Sequence, residues 1–166
     1  MPRDIYLSVI IPAYNEEQRI GATLLAVDKY LSSQKYSYEI LVASDGSSDK
    51  TVDVVQKYKQ LVNNLEVIDN LENKGKGGVV RQGMLAARGK YRVFMDADNS
   101  TSLNHVEKML PLLEQEYDLV IGTRDAKDAE GATQAVKQQL FRIVIGNLGN
   151  LLIQLLAVPG IWDTQC

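Results

Sequence analysis

Leu7-Ser8-Val9-Ile10-Ile11 is an apolar, β-branched run that leads through Pro12-Ala13-Tyr14-Asn15-Glu16 into a segment carrying Ile20, Leu24, Val27 and Leu31 at helical spacing. This reads as a strand followed by a helix, and the pair recurs along the chain. Tyr38 to Ala43 is the next apolar run, and the helix after it, with Val52, Val55 and Tyr58 on one face, takes Ser48 or Asp49 as its cap. A third unit opens at Leu65-Glu66-Val67-Ile68 and passes through a glycine-rich link to a helix around Val79 to Arg88. Tyr91 to Met95 then reads as a strand, Val106, Leu110 and Leu113 mark a helix, and Leu119-Val120-Ile121 reads as a further strand. Regular alternation of this kind predicts an α/β fold, a mostly parallel sheet with helices on both faces. Strands in such a sheet are covered on both sides, which accounts for continuous apolar runs where a half-exposed sheet would alternate. Ligands of open α/β sheets bind beyond the carboxyl ends of the strands, so the loops after Ile11, Ala43, Met95 and Ile121 are expected to line the site.

The 166 residues are 45% hydrophobic and 23% charged, which suffices for one domain with a real core and does not suit a disordered chain. With 18 basic against 21 acidic residues and no long basic run, the chain lacks the means to grip a phosphate backbone, and nucleic acid is not an expected partner. Its single cysteine, Cys166, excludes an intrachain disulfide, a CxxC motif and a cysteine-based zinc site. Met1-Pro2-Arg3-Asp4-Ile5 has no apolar stretch of the signal-peptide kind, so residence in the cytoplasm is the expectation.

The loops carry the unusual residues. Ser44-Asp45-Gly46-Ser47-Ser48-Asp49 follows the second strand, Asp96-Ala97-Asp98-Asn99-Ser100 the fourth, and Gly122-Thr123-Arg124-Asp125 the fifth. Asp49 and Thr101 are read as helix N-caps. Asp96 and Asp98 are different, because two carboxylates one residue apart at the end of Val93-Phe94-Met95 repel each other unless a cation lies between them. Oxygen-rich sites of this type suit Mg2+ or Mn2+, which bind through one or two carboxylates together with substrate phosphates. Asp96, Asp98, Ser100 and Glu107 also fall on calcium-loop spacing, but Thr101 takes the place of the required glycine and a strand precedes the motif. An aspartyl-phosphate phosphatase would use such a pair too, though after the first strand and not the fourth. Asn73-Lys74-Gly75-Lys76-Gly77-Gly78 either brings lysines and backbone N–H groups up to an anion or simply makes a tight turn. It is neither a GxxxxGKS/T nor a GxGxxG loop, so ATPase and dinucleotide readings lack their motifs. Arg124 suits a diphosphate or a surface ion pair, and His105 is read as a surface or packing residue.

Val9-Ile10-Ile11-Pro12-Ala13-Tyr14-Asn15-Glu16, Asp45-Gly46-Ser47-Ser48-Asp49-Lys50-Thr51, Asn73-Lys74-Gly75-Lys76-Gly77 and Asp96-Ala97-Asp98, in this order and spacing, resemble family 2 glycosyltransferases of the GT-A fold. Gly122-Thr123-Arg124-Asp125, Leu140-Phe141-Arg142 and Gly160-Ile161-Trp162-Asp163-Thr164-Gln165-Cys166 resemble the polyprenyl-phosphate sugar synthases within it, the dolichyl-phosphate glucose synthases above all. The resemblance implies that Pro12, Tyr14 and Glu16 line the nucleotide pocket, that Asp45 contacts the base with Ala43 beside it, and that Lys76, Asp96 and Ala97 join the donor-binding set. It implies Asp98 as chief metal ligand, with Asp96 and Ser100 as further ligands of Mg2+ or Mn2+, and Arg124 on the phosphates. Ser44 departs from the pattern, since many relatives carry a second aspartate there. Relatives also continue past the stretch matching Asp163-Thr164-Gln165-Cys166, so residues 1–166 are expected to be one GT-A catalytic domain shortened at its C-terminus.

The implied reaction is transfer of a sugar, glucose first, from a nucleotide-diphospho-sugar such as UDP-glucose or GDP-mannose to a polyprenyl phosphate. Cleavage at sugar C1 builds charge on the leaving phosphate, which the cation and Arg124 would stabilise. A lipid monophosphate is already an anionic nucleophile, so a general base is less needed than for a saccharide or protein hydroxyl, the alternative acceptors. A non-catalytic nucleotide-sugar-binding domain is the remaining alternative. Residues 135–158 read as an amphipathic helix, too polar to span a membrane, with Leu148, Leu151, Leu152 and Leu155 on one side. Those leucines lie at a bilayer surface on its cytoplasmic face, pack on the domain, or pair with a second copy as a homo-oligomer. Arg142 at this interface is the expected contact for the acceptor phosphate.

Overall fold

Val9, Ile10 and Ile11 are all fully buried, and consecutive strand residues point to opposite faces, so the strand that contains them must be covered on both sides. The computed structural model describes residues 4–122, and it makes this strand the centre of a parallel sheet. The elements run β1 (Leu7–Ala13), α1 (Ile20–Ser32), β2 (Tyr38–Asp45), α2 (Thr51–Tyr58), β3 (Leu65–Asn70), α3 (Gly75–Ala86), β4 (Tyr91–Phe94), a short 3-10 turn (Leu103–His105) and α4 (Val106–Glu114). Strand order is β3-β2-β1-β4, and every pairing is parallel. Travel from β1 to β3 goes one way and the step to β4 reverses it. With right-handed crossovers this puts α1 and α2 on one face and α3 on the other. Ile20, Leu24, Val27 and Leu31 on α1 are buried at the expected helical spacing.

The central strands show the continuous burial that the apolar runs predict, whereas β3 and β4 are mostly half-buried or exposed because, among the described residues, they form the edges of the sheet. Leu119-Val120-Ile121, expected as a fifth strand, is not one. Leu119 and Ile121 are exposed and pair with no strand among the described residues. A run of strand-forming residues becomes a strand only where a partner supplies the ladder, and residue preference alone does not provide it.

The chain divides into two compact units, Met1–Pro111 and Leu112–Cys166. The first holds the sheet and α1 to α3. Of the second, the described part is the end of α4 and a turn with Glu116 at φ 69. Among the described residues no helix is long and apolar enough to cross a membrane. The expectations on Arg124, Arg142, the 135–158 helix and Cys166 lie outside the described residues.

Three helix starts differ from expectation. The N-cap of α2 is Lys50 and not Ser48 or Asp49, although Asp49 Oδ1 accepts the Thr51 N–H. The third helix begins at Gly75, inside the glycine-rich stretch, because side chains supply acceptors at its first turn: Asp45 Oδ1 takes the Lys74 N–H and Asn73 Oδ1 takes the Gly75 N–H. The turn before α4 is capped by Ser102, which accepts the Asn104 N–H, and not by Thr101.

Gly83 sets how closely α3 sits on the sheet, since a Cβ there would lie 2.5 Å from Ile10 Cγ2. On an open helix Gly→Ala stabilises by about 1 kcal/mol. Gly83→Ala is expected to destabilise by about 1–3 kcal/mol instead, because the buried Ile10 has nowhere to move. Urea unfolding gives the sign directly.

Candidate active site

The reversal of strand order between β1 and β4 opens a crevice at their carboxyl ends, where open α/β sheets bind ligands. A cleft of about 400 Å³ lies there. Its walls come from the loop after β1 (Pro12, Tyr14, Glu16), the end of β2 (Asp45), the start of α3 (Asn73, Lys76) and the loop after β4 (Asp96, Ala97, Asp98). The crossovers thus bring together residues that stand far apart in sequence.

The walls are tied to one another. Asn15, at φ 54, donates its N–H to Ser47 Oγ, and its Oδ1 accepts the Ser48 N–H at 2.9 Å. The Glu16 N–H donates to Thr51 Oγ1 at 2.7 Å, and the Glu17 N–H donates to Asp49 Oδ2, while Glu17 Oε2 in return accepts the Lys50 N–H. Asp49 also accepts the Thr51 N–H, and its work is therefore to lock the loop after β1 onto the start of α2. Partial burial pushes its carboxyl up, but bonds from the Thr51 hydroxyl, the Thr51 N–H and the Glu17 N–H hold it below the usual carboxylate range. Thr23 Oγ1 donates to the Ala97 carbonyl at 2.6 Å, tying α1 to the loop after β4. Gly46 completes the frame: it adopts φ +70, and a Cβ there would lie 2.8 Å from the Asn73 backbone nitrogen. Fixed loops of this kind present polar groups to a ligand at little ordering cost.

Charge inside the cleft is mixed. Asp45 is buried, with one carboxylate oxygen on the Lys74 N–H at 2.6 Å. Lys76 Nζ sits 2.6 Å from Asp96 Oδ1 across the opening, both groups being well exposed. Asp98 Oδ1 accepts the Ser100 N–H, and this bond, helped by the Ser100 hydroxyl and the nearby Arg19 charge, outweighs partial burial and holds its carboxyl low. Glu16 holds Arg19 through both carboxylate oxygens at 2.7 and 2.8 Å. Tyr14 is 51% exposed, so its ring is open to a ligand.

Of the residues singled out in the sequence, Pro12, Tyr14, Glu16, Asp45, Lys76, Asp96, Ala97 and Asp98 line this one cleft. Ala43 does not. It is fully buried in β2 between Pro12 and Ile68, two residues before the strand end that carries Asp45. Ser100 is exposed outside the lining and acts on Asp98 through its N–H. His105 is exposed, as expected. Sequence reasoning missed Asn73, Gly75 and Val79 in the lining, the Asn15 to Thr51 network and the Lys76–Asp96 pair. For Asn15 there was a signal: asparagine tolerates positive φ and often bonds backbone in turns.

The donor set suits a hard divalent cation. Asp96 and Asp98 offer carboxylate oxygens with no histidine or thiol beside them, and among the described residues no group of three or more histidine, cysteine, aspartate or glutamate side chains forms a self-sufficient cage. Such a pair fits Mg2+ or Mn2+ completed by a ligand's own phosphates.

Residues 8–164 match the sequence profile of Glycosyl transferase family 2. The dolichyl-phosphate beta-glucosyltransferase of Dictyostelium discoideum is 37% identical over 174 residues, which cover 98% of this chain and 53% of that protein. The Homo sapiens protein of the same name is 33% identical over 173 residues, covering 96% and 52%. This chain spans about half the length of the curated relatives it matches. A crystal structure of S. aureus TarS 1–349 in complex with UDP-GlcNAc aligns with a TM-score of 0.50 at 28% identity, over 67% of this chain and 32% of that one. The chain belongs to glycosyl transferase family 2, and its parallel sheet with helices on both faces is the GT-A fold.

Proposed function

We propose that this chain forms the donor side of an inverting transferase that moves glucose from UDP-glucose to a polyprenyl phosphate at the cytoplasmic face of a membrane. The observation that carries the donor half is the single cleft that gathers Asp45, Lys76, Asp96 and Asp98 at the carboxyl ends of β1, β2 and β4. Support for the uridine nucleotide comes from the likeness to a structure holding UDP-GlcNAc, and support for glucose and the lipid acceptor from the names of the relatives.

Pro12, Tyr14 and Glu16 enclose the nucleoside, and the carboxylate oxygen of Asp45 not held by Lys74 faces its base. Asp96 and Asp98 hold Mg2+ or Mn2+, which supplies positive charge to the diphosphate as the bond to sugar C1 breaks. Lys76 adds a further positive charge on the same side. An oxygen of the acceptor phosphate attacks C1 from the face opposite the leaving diphosphate, so the anomeric configuration inverts. The phosphate is anionic near neutral pH and needs no base to take a proton from it. Arg124 on the diphosphate and Arg142 on the acceptor phosphate complete the proposal.

Calorimetry is expected to show UDP-glucose binding this chain at least about tenfold more tightly with manganese than with chelator, because the acidic cleft otherwise repels the diphosphate. Equal affinity in the two conditions would remove the donor assignment. With radiolabelled UDP-glucose, manganese and liposomes carrying polyprenyl phosphate, the chain extended to the length of its relatives is expected to place label in the organic extract. Label found only on a saccharide or protein would reassign the acceptor.

A further inference from the structure

We infer that Lys76 acts as an internal counter-ion for the metal-binding aspartates, occupying Asp96 in the free cleft and leaving it when a nucleoside diphosphate arrives, so that diphosphate and divalent cation bind cooperatively. This rests on the donor and metal reading above and adds the residue that couples the two ligands.

The geometry supplies the argument. Asp96 and Asp98 lie one residue apart on the same loop and line the same cleft, which by itself favours capture of a cation. Lys76 Nζ stands 2.6 Å from Asp96 Oδ1, so one carboxylate of the pair is already neutralised from within the chain. A free cation must displace that ammonium or bind beside it, and both weaken its affinity. Lys76 lies near the start of α3, whose first turn Asp45 and Asn73 hold from behind, so its backbone is anchored while its flexible side chain is exposed and free to swing. A diphosphate in this cleft offers the ammonium a more highly charged partner than one carboxylate. Once Lys76 turns to the diphosphate, Asp96 is released to the cation, and the phosphate oxygens complete the cation's shell. Each ligand thus removes an obstacle to the other, and linkage requires the effect to be equal in both directions.

Lys76→Gln separates these contributions, and because Lys76 is exposed the substitution does not threaten the core. The probes are MnCl2 and UDP, with free Mn2+ read by electron paramagnetic resonance and UDP binding by calorimetry. Without UDP, the variant is expected to bind Mn2+ roughly three- to fivefold more tightly than wild type, in line with loss of an exposed ion pair. The factor by which UDP tightens Mn2+ should shrink by about the same amount, and UDP itself should bind more weakly. Lys76→Arg, which keeps the charge, should stay near wild type in Mn2+ affinity. Unchanged Mn2+ affinity and unchanged coupling in Lys76→Gln would overturn the counter-ion role while leaving the donor assignment standing. No coupling between UDP and Mn2+ in the wild type would overturn both.

Discussion

Asp98→Ala is expected to abolish the dependence of UDP-glucose binding on manganese and to lower sugar transfer by the extended chain at least about 100-fold, because charge on the leaving phosphate then lacks its main counterweight. Asp98 is exposed on the loop after β4, and Ser100, two residues on in the same loop, supplies the bonds to its carboxylate. Circular dichroism and the urea midpoint should therefore stay close to wild type. Asp96→Ala should be milder in one respect, since it also frees Lys76 and leaves one positive group for the diphosphate. An Asp98→Ala protein with near wild-type transfer would show that the cation is held elsewhere, and the reading of the acidic pair would have to be given up.

Glu39→Ala is expected to cost about 3 kcal/mol of stability without touching the cleft. Glu39 sits near the start of β2, at the end of the strand away from the site, and is buried. Its Oε1 accepts the Ser8 hydroxyl at 2.7 Å and the Arg88 N–H at 2.6 Å, and its Oε2 accepts the Arg88 guanidinium at 2.9 and 2.7 Å. Ser8 Oγ in turn accepts the Gly89 N–H. Removing the carboxylate leaves buried donors without acceptors, while the exposed guanidinium simply returns to water. Burial pushes the Glu39 carboxyl up, but the Ser8 hydroxyl, the Arg88 N–H and the Arg88 charge outweigh it and hold it below its ordinary value of 4.5. A carboxyl depressed in the folded state adds stability above its unfolded pKa, and that contribution is lost as pH falls through the folded value. Wild-type stability should accordingly drop as pH is lowered below about 4.5, more steeply than that of Glu39→Ala over the same range. Parallel pH profiles for the two proteins would show that Glu39 titrates alike in the folded and unfolded chain, so that Ser8 and Arg88 do not favour its charged form.

Periodicity alone was enough to find β1 to β4 and the helices between them, because each strand is short, apolar and followed by a helical face. Acidic loops at strand ends were legible too, since a parallel sheet must expose its carboxyl ends together whatever else it does. This places Pro12, Glu16, Asp45, Asp96 and Asp98 near one another without any coordinates. What the sequence does not contain is pairing between residues on different loops. In sequence Asp45 reads only as a ligand group, yet one of its carboxylate oxygens fastens the start of α3, because the β2 end and the β3–α3 link meet there. In sequence Lys76 reads as an anion binder, yet in the fold it already has an anion in Asp96. The resemblance sets Ala43 beside the base, but Ala43 lies two residues back from the strand end, paired on both sides by Pro12 and Ile68 and fully buried, while Asp45 at the end of β2 reaches the cleft. Glu39 gave no sign of burial, since a charged residue in a strand is ordinarily solvated and only the arrival of Ser8 and Arg88 from distant segments makes burial tolerable. Leu119 to Ile121 have the composition of a strand and find no strand partner among the described residues. Local pattern reports what each segment can become; hydrogen-bond and charge partners are chosen by the directions in which the crossovers carry those segments, and that is decided only when the sheet is assembled.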